Sequence, residues 1–220
     1  MPTRILEPGD AISALLESGL SEIGLTAEPG QLEALAGFTG RVAEWGGRLN
    51  LSGHRQPDSI ARRLVLGAAA LCNRLPDLDS LNDLGSGAGF PGVPIAILRP
   101  KCAVHLVEAR ERRYHFLRDA ARQLDLSNLT VERGRIEAVE AKPAAGAVAQ
   151  AVGPVDRVLE WMLPWVEPRG WLVLPASLES DLPTARPDIV EAEVRDYRVP
   201  LGGPPQRLWL ARKGRISGDA

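Results

Sequence analysis

The residues with the clearest chemistry lie in Leu81-Asn82-Asp83-Leu84-Gly85-Ser86-Gly87-Ala88-Gly89-Phe90-Pro91-Gly92-Val93-Pro94. A short apolar run closes on an acid, and glycines follow at alternate positions. Pro91 then stands where a helix can begin, because its missing N–H needs no partner there. Glycine admits positive φ and lets a ligand approach the main chain without a Cβ in the way. The position of the acid selects between two nucleotide-derived ligands. A dinucleotide turn needs G-x-G-x-x-G directly after the strand, with pyrophosphate on the helix N-terminus. Here that spacing starts late, as Gly87-x-Gly89-x-x-Gly92, after Asp83 and Gly85. Asp83, at the strand end and facing the pocket, suits a cationic amine and would repel a phosphate. S-adenosylmethionine, an amino-acid-bearing cofactor, meets that demand. Taken alone, the loop also reads as a mere tight turn.

A second apolar run, Ala103-Val104-His105-Leu106-Val107, ends in Glu108. It lies about twenty residues beyond the glycines, where an acid at the next strand end can hold ribose hydroxyls. An ordinary solvated acid before a charged helix is the alternative.

On these residues the chain resembles a known family. "NDLGSGAGFPGVPIAILRP" and "HLVEARERRYHFLRDAARQLDLSNLTVERGRIEAV" are similar to the small-subunit ribosomal RNA guanine-N7 methyltransferases, also called the glucose-inhibited division protein B family. The resemblance takes in "RVAEWGGRLNLSGHRQPDSIARR" upstream, extends to "YRVPLGGPPQRLWLARK", and covers most of residues 30–213. The Phe and both prolines of the glycine run make it specific, since a plain S-adenosylmethionine motif requires none of them. The resemblance implies a cofactor set of Asp83, Gly85, Ser86, Gly87, Gly89, Phe90 and Glu108. It adds Arg135, Ile136 and Glu137 from the stretch that lines the adenine, which also reads as a helix start with a capping acid. It further implies a ribosomal RNA or small-subunit partner and no metal.

The acceptor side departs from the family pattern. Where the family has Arg-His-Ile-x-Asp-Ser, this chain has Arg62-Arg63-Leu64-Val65-Leu66-Gly67. Ser-Arg-Ala-Phe becomes Ala149-Gln150-Ala151-Val152, and Leu-Lys-Gly becomes Leu174-Pro175-Ala176. Arg62 and Arg63, with Arg48 and Arg55 nearby, read either as an RNA phosphate patch or as a solvated helix face. Asn50, in the family-like Asn50-Leu51-Ser52, is expected to order the junction by local hydrogen bonds, and Gln150 marks the place of the lost cation.

The elements that must position these groups follow from periodicity. Apolar residues recur at helical spacing over 10–20, 32–49 and 58–71, so residues 1–76 read as a helical cap. Residues 77–220 read as a Rossmann-like α/β domain. The expected order is strand 80–84, helix 91–98, strand 103–108, helix 111–124, strand 128–133, a short helix near 136–141 and strand 146–150. Helix 154–166, strand 170–174, helix 177–185 and strands near 189–198 and 206–212 follow. Such alternation predicts a mostly parallel, doubly wound sheet with helices on both faces. The last two strands, joined through Pro200-Leu201-Gly202-Gly203-Pro204-Pro205, read as an antiparallel pair.

With 220 residues, 45% apolar and 25% charged, the chain fits a folded α/β protein, and its net charge of −2 leaves RNA binding to a local basic face. Cys72 and Cys102 stand far apart with no ligand spacing, which supports neither a metal site nor a disulfide. No run reaches membrane-span length and no signal peptide is visible. A cytoplasmic monomer is expected. Methyl transfer to a guanine N7 needs no base, so the lack of a nucleophile–histidine arrangement is compatible with it. A diverged relative with another acceptor or only cofactor or RNA binding, and a ribosome-associated module without turnover, stay open. A nicotinamide oxidoreductase would need a cleaner glycine spacing and a hydride-handling site.

Overall fold

The computed structural model describes residues 8–49, 51, 53–183 and 186–214. Seven strands form one sheet in the order β3-β2-β1-β4-β5-β7-β6. They are β1 (Ser80–Leu84), β2 (Ala103–Glu108), β3 (Leu129–Arg133), β4 (Ala144–Ala149), β5 (Val166–Ala176), β6 (Ile189–Arg198) and β7 (Pro205–Lys213). The first five run parallel, and β7 is antiparallel to both β5 and β6. The chain winds outward from β1 through α5 (Gly92–Leu98) to β2 and through α6 (Glu111–Gln123) to β3. It then returns to β4 on the other side of β1. The strand order therefore reverses between β1 and β4, the place where such sheets bind ligands.

Upstream stand α1 (Pro8–Glu22), α2 (Pro29–Leu49), α3 (Pro57–Ile60), a π-helical segment (Ala61–Val65) and α4 (Leu66–Cys72). Their apolar stripes join the sheet in one core that runs from Leu16, Leu35 and Phe38 to Leu106, Val148 and Leu210. Phe38 of α2 lies 5.2 Å from Phe90 and 6.4 Å from Phe116, so α2 packs on the glycine loop and on α6 together. Arg99 ties the helices to the first strand–helix unit. Its guanidinium donates to the carbonyls of Pro76 at 2.6 Å, Cys72 at 2.7 Å and Leu75 at 3.0 Å, acceptors at and just beyond the C-terminal end of α4.

The opposite face is covered differently from the expectation of helices on both sides. Among the described residues only α7 (Val155–Met162) lies there, burying Leu159 and Met162 with Trp165 against β4 and β5. The expected helix near 136–141 is a turn, and 177–183 runs as turns and extended chain. Gly134 and Pro143 bracket a segment with only Ile136, Val139 and two small alanines to bury. In the second segment Ser177 and Ser180 bond each other, with Oγ atoms 2.8 Å apart, and Pro183 lacks a donor. Where no helix covers β1 and β2, an open hollow of about 800 Å³ remains, lined by a polar chain. Asn82 donates to the carbonyls of Lys142 at 2.8 Å and Trp165 at 2.9 Å and meets His105 Nδ1 at 3.1 Å. His105 Nε2 lies 3.1 Å from Glu132, which also pairs with Lys142 at 2.6 Å.

Two boundaries shift for stated reasons. Helix α7 stops at Met162 and tightens into a 3₁₀ turn over Leu163–Trp165, because Pro164 cannot supply the next helical donor. Strand β5 then begins at Val166 rather than 170 and passes through an irregularity at Pro168-Arg169-Gly170, with Arg169 at φ 67°. The loop-like composition there marks a bulge inside a strand.

Candidate active site

Polar burial is concentrated at one place. Among the described residues the buried polar side chains are Thr39, Asn82, Asp83, Ser86 and Glu108, and the last four stand on β1, on β2 or in the loop after β1. A buried polar group is costly unless hydrogen-bonded, and here each is. The loop itself is pinned by Gly85 N–H and Ser86 N–H, which donate to Val107 O at 2.9 and 3.1 Å. Gly85, Gly87 and Gly89 take φ of 78°, 58° and 95°, the left-handed region open to residues without a Cβ. Their demands differ. A Cβ on Gly89 would meet Val93 at 2.7 Å, Leu117 at 2.9 Å and Phe38 at 3.0 Å. One on Gly87 would point into free space, with Arg113 Nη1 at 3.7 Å the nearest heavy atom.

Asp83 is corrected by the structure. It does not face an open pocket: it is 1% exposed, and its Oδ2 accepts the Gly92 N–H at 2.9 Å. Burial pushes its carboxyl up to about 7, against the pull of the Gly92 hydrogen bond. It shapes the loop from below. Ser86 is likewise turned inward, its hydroxyl donating to Asp83 O at 2.8 Å. Pro91 directly precedes α5 as its N-cap, one residue before the helix.

Glu108 holds the place expected of it at the end of β2. Its Oε2 accepts the Gly87 N–H at 2.8 Å and its Oε1 the Arg110 N–H at 2.7 Å, while only 5% of the residue is exposed. A carboxylate has about four lone-pair sites, so each oxygen keeps one for a ribose diol. The Gly134–Glu137 turn follows β3, with Gly134 N–H on Glu108 O at 3.1 Å. Ile136 is buried in the second core, and Arg135 pairs with Glu137 at the surface at 3.4 Å. A fixed acid, a glycine turn with open space at Gly87 that a Cβ would enter, and an apolar residue beyond them fit the sugar, methionine and adenine parts of S-adenosylmethionine.

Phe90 stands on the other side of the loop. It lines a cavity of about 110 Å³ with Arg63, Gln150, Tyr197 and Gln206, between the π-helical segment and the sheet. A second cavity of about 260 Å³ continues past Gln150 and Val152 to Leu174, Ser177 and Asp181. Arg62 is not in this groove; it is exposed and paired with Asp58 at 3.0 Å. Asn50 lies outside the described residues. Val152, whose Cγ2 would stand 3.0 Å from a Cβ on Gly85, ties the groove to the cofactor loop. Sequence reasoning passed over Gln206 and Tyr197. The signal was the antiparallel last pair, which brings the start of β7 to the edge where β4 and β5 end.

Among the described residues no group of three or more His, Cys, Asp or Glu side chains is placed to hold a metal, and both cysteines are buried thiols. No helix among them is long and apolar enough to cross a membrane.

Sheet order, glycine cradle and fixed acid define a Rossmann-like methyltransferase that uses S-adenosylmethionine. Solved structures share the fold. One is a methyltransferase dependent on that cofactor from Aquifex aeolicus, with TM-score 0.53 and 14% identity, covering 70% of this chain and 93% of that one. Another is TYW2 of M. jannaschii in complex with the cofactor, with TM-score 0.50 and 18% identity, covering 68% and 75%. The family model described as rRNA small subunit methyltransferase G matches residues 31–207. The ribosomal RNA small subunit methyltransferase G of Beutenbergia cavernae is 35% identical over 170 residues, 74% of this chain and 79% of that protein. Its counterpart in Chromohalobacter salexigens is 30% identical over 202 residues, 91% and 96%. The chain belongs to the rRNA small subunit methyltransferase G family.

Proposed function

We propose that this enzyme methylates N7 of a guanine in small-subunit ribosomal RNA, acting as a cytoplasmic monomer on the RNA or the assembled subunit. The observation that carries the reading is the cradle of Gly85–Gly89 with Glu108 fixed beside it, at the switch point of a chain from this family. Bound S-adenosylmethionine supplies the methyl group on a sulfonium already activated for in-line displacement. The S–CH3 bond breaks as the N7–CH3 bond forms, S-adenosylhomocysteine leaves, and the positive charge passes to the guanine. N7 offers a free lone pair, so no side chain has to remove a proton from it. The protein's task is alignment and exclusion of water, an effect worth about 7–11 kcal/mol in well-oriented systems.

The roles divide accordingly. Gly87 leaves room for the cofactor, Gly85 and Gly89 supply the left-handed backbone that shapes the loop, Glu108 holds the ribose, and Ile136 bounds the adenine between Arg135 and Glu137. Asp83 and Ser86 act through the shape of the loop. Phe90 offers an aromatic wall for a splayed-out base, Arg63 a guanidinium for phosphate, and Gln150 a carboxamide at the groove.

A second reading, a family member with another acceptor, is favoured by the groove's lack of charge: among the described residues lining the two cavities only Arg63 and Asp181 are charged. Transfer of labelled methyl to small subunits and to naked ribosomal RNA, followed by nucleoside analysis, separates the two. Label in 7-methylguanosine is the expected result. Cofactor binding with no transfer to either RNA, or label in another nucleoside, would overturn the first reading.

A further inference from the structure

The loop after β1 accounts for the cofactor side of the site, but the far side of the acceptor groove has no assigned reader. Gln150 and Gln206 each line both cavities and stand at their junction. Topology brings Gln206 there. β7 is antiparallel to β5, so its first residues lie where the parallel strands end. Gln206 pairs across with Tyr197, and Arg207 with Ala176. Cross-strand partners share a face, so Gln206 points with the buried Tyr197 toward α4 and the smaller cavity, which Phe90 and Pro91 also line. Tyr197 keeps its proton, since burial pushes its phenol up to about 12. Beside Gln206 the groove thus presents the neutral hydrogen-bonding groups of Gln150 and Tyr197, which suit an uncharged base.

We infer that Gln206 is a specificity-determining residue that reads the N1–H and exocyclic N2 amine of the acceptor guanine. The inference rests on the guanine-N7 reading above. Methylation at N7 requires that edge of the purine to face the Gly85–Gly87 loop, which the groove reaches at the Gln150 turn, where Val152 packs on Gly85. The edge carrying N1 and N2 lies on the opposite side of the ring, toward Gln206. The Gln206 carboxamide oxygen accepts from both donors. Adenine has an acceptor N1 and no C2 amine, so the carboxamide loses a bond however it turns, and an unmade buried bond is penalised.

The test compares the wild type with Gln206→Ala and Gln206→Glu on small-subunit RNA carrying either guanine or inosine at the methylated position, mapped first from the wild-type product. Inosine lacks only the N2 amine. Gln206→Ala is expected to lower kcat/KM on guanine about 5- to 150-fold, the range of one bidentate base contact, with cofactor affinity unchanged by calorimetry. It is also expected to erase most of the wild-type preference for guanine over inosine, whereas Gln206→Glu, which keeps acceptor oxygens, retains that preference. Equal losses on both RNAs, with the guanine-to-inosine ratio of the wild type, would reduce Gln206 to a structural role and overturn the inference. So would unchanged kinetics on guanine. Absence of 7-methylguanosine from the wild-type reaction would overturn the guanine-N7 reading itself, a failure visible before any variant is made.

Discussion

Gly87→Ala separates a ligand cradle from a mere turn. Gly87 sits at φ 58°, and a Cβ there meets no heavy atom closer than Arg113 Nη1 at 3.7 Å and Gly85 O at 3.9 Å. The variant therefore loses no packing. Its cost is the left-handed backbone, about 1–2 kcal/mol for a residue with a Cβ, which lowers the thermal midpoint of a chain this size by about 2–8 °C. The Gly87 N–H can still donate to Glu108. The methyl, however, enters the space assigned to the cofactor, and affinity for S-adenosylhomocysteine is expected to fall more than about tenfold, or 1.4 kcal/mol. Gly89→Ala is the control, because three side chains stand within 3.0 Å of its Cβ. That variant is expected to lose about 1–3 kcal/mol to overpacking in addition to the backbone cost. Calorimetric titration beside thermal unfolding reads both quantities. Gly87→Ala that binds S-adenosylhomocysteine within twofold of the wild type, with its midpoint lowered, would refute the cradle and leave the loop as a turn.

Three other perturbations test the scaffold. Burial holds Asp83 at about 7, above the ordinary carboxyl value of 3.8, so the native state binds this proton more tightly than the unfolded chain. Its contribution is full below about pH 4 and is lost as pH rises through about 7, a difference of about 4 kcal/mol at 1.36 kcal/mol per unit. Asp83→Asn, which keeps an acceptor for Gly92 N–H, should therefore gain midpoint relative to the wild type as pH rises from 5 to 8, and a constant difference would disprove the assignment. Glu108→Gln keeps one acceptor where two N–H groups now bond. It is expected to weaken cofactor binding about tenfold and cost about 1–2 kcal/mol of stability, read by titration and unfolding. Arg99→Met strips the donors from three carbonyls, a loss of about 3 kcal/mol and about 6–12 °C in midpoint, with cofactor affinity unaltered.

The cofactor half was legible because it is local. Strand, acid, glycines and proline follow one another within residues 81–94, so the turn and its left-handed backbone are written in consecutive residue types. The place of Glu108 at the end of β2 was legible for the same reason, one strand on. The inward turn of Asp83 was not visible, since it depends on the Gly92 N–H nine residues later meeting a fully buried carboxylate. Helices were overread where composition allowed them but nothing was left to bury. The 136–141 stretch offers only Ile136, Val139 and two small alanines, and the face above β1 and β2 stays an open hollow lined by Asn82, His105 and Glu132. The bulge in β5 was missed because Pro168-Arg169-Gly170 has the chemistry of a turn, and only pairing with β4 shows that the strand continues through it.

The acceptor half was less legible for a topological reason, and the same reason bears on how the enzyme could change substrate. Its parts come from the π-helical segment at Arg63, the turn after β4 at Gln150, and the first residues of β7 at Gln206, which are far apart in the chain. None of them hydrogen-bonds to the glycine loop. The loop is held instead by Val107 O, Glu108 and Asp83, all on β1 and β2. Substitutions on the β4–β5–β7 side can therefore alter what is methylated without disturbing what supplies the methyl group. Gln150 and Pro175, which the sequence resemblance sets at cationic positions of the family, fall on that side. The Gln150 turn still meets the loop at one point, Val152 against Gly85. Divergence at that contact would change cofactor and acceptor together, whereas divergence at Gln206 changes the acceptor alone.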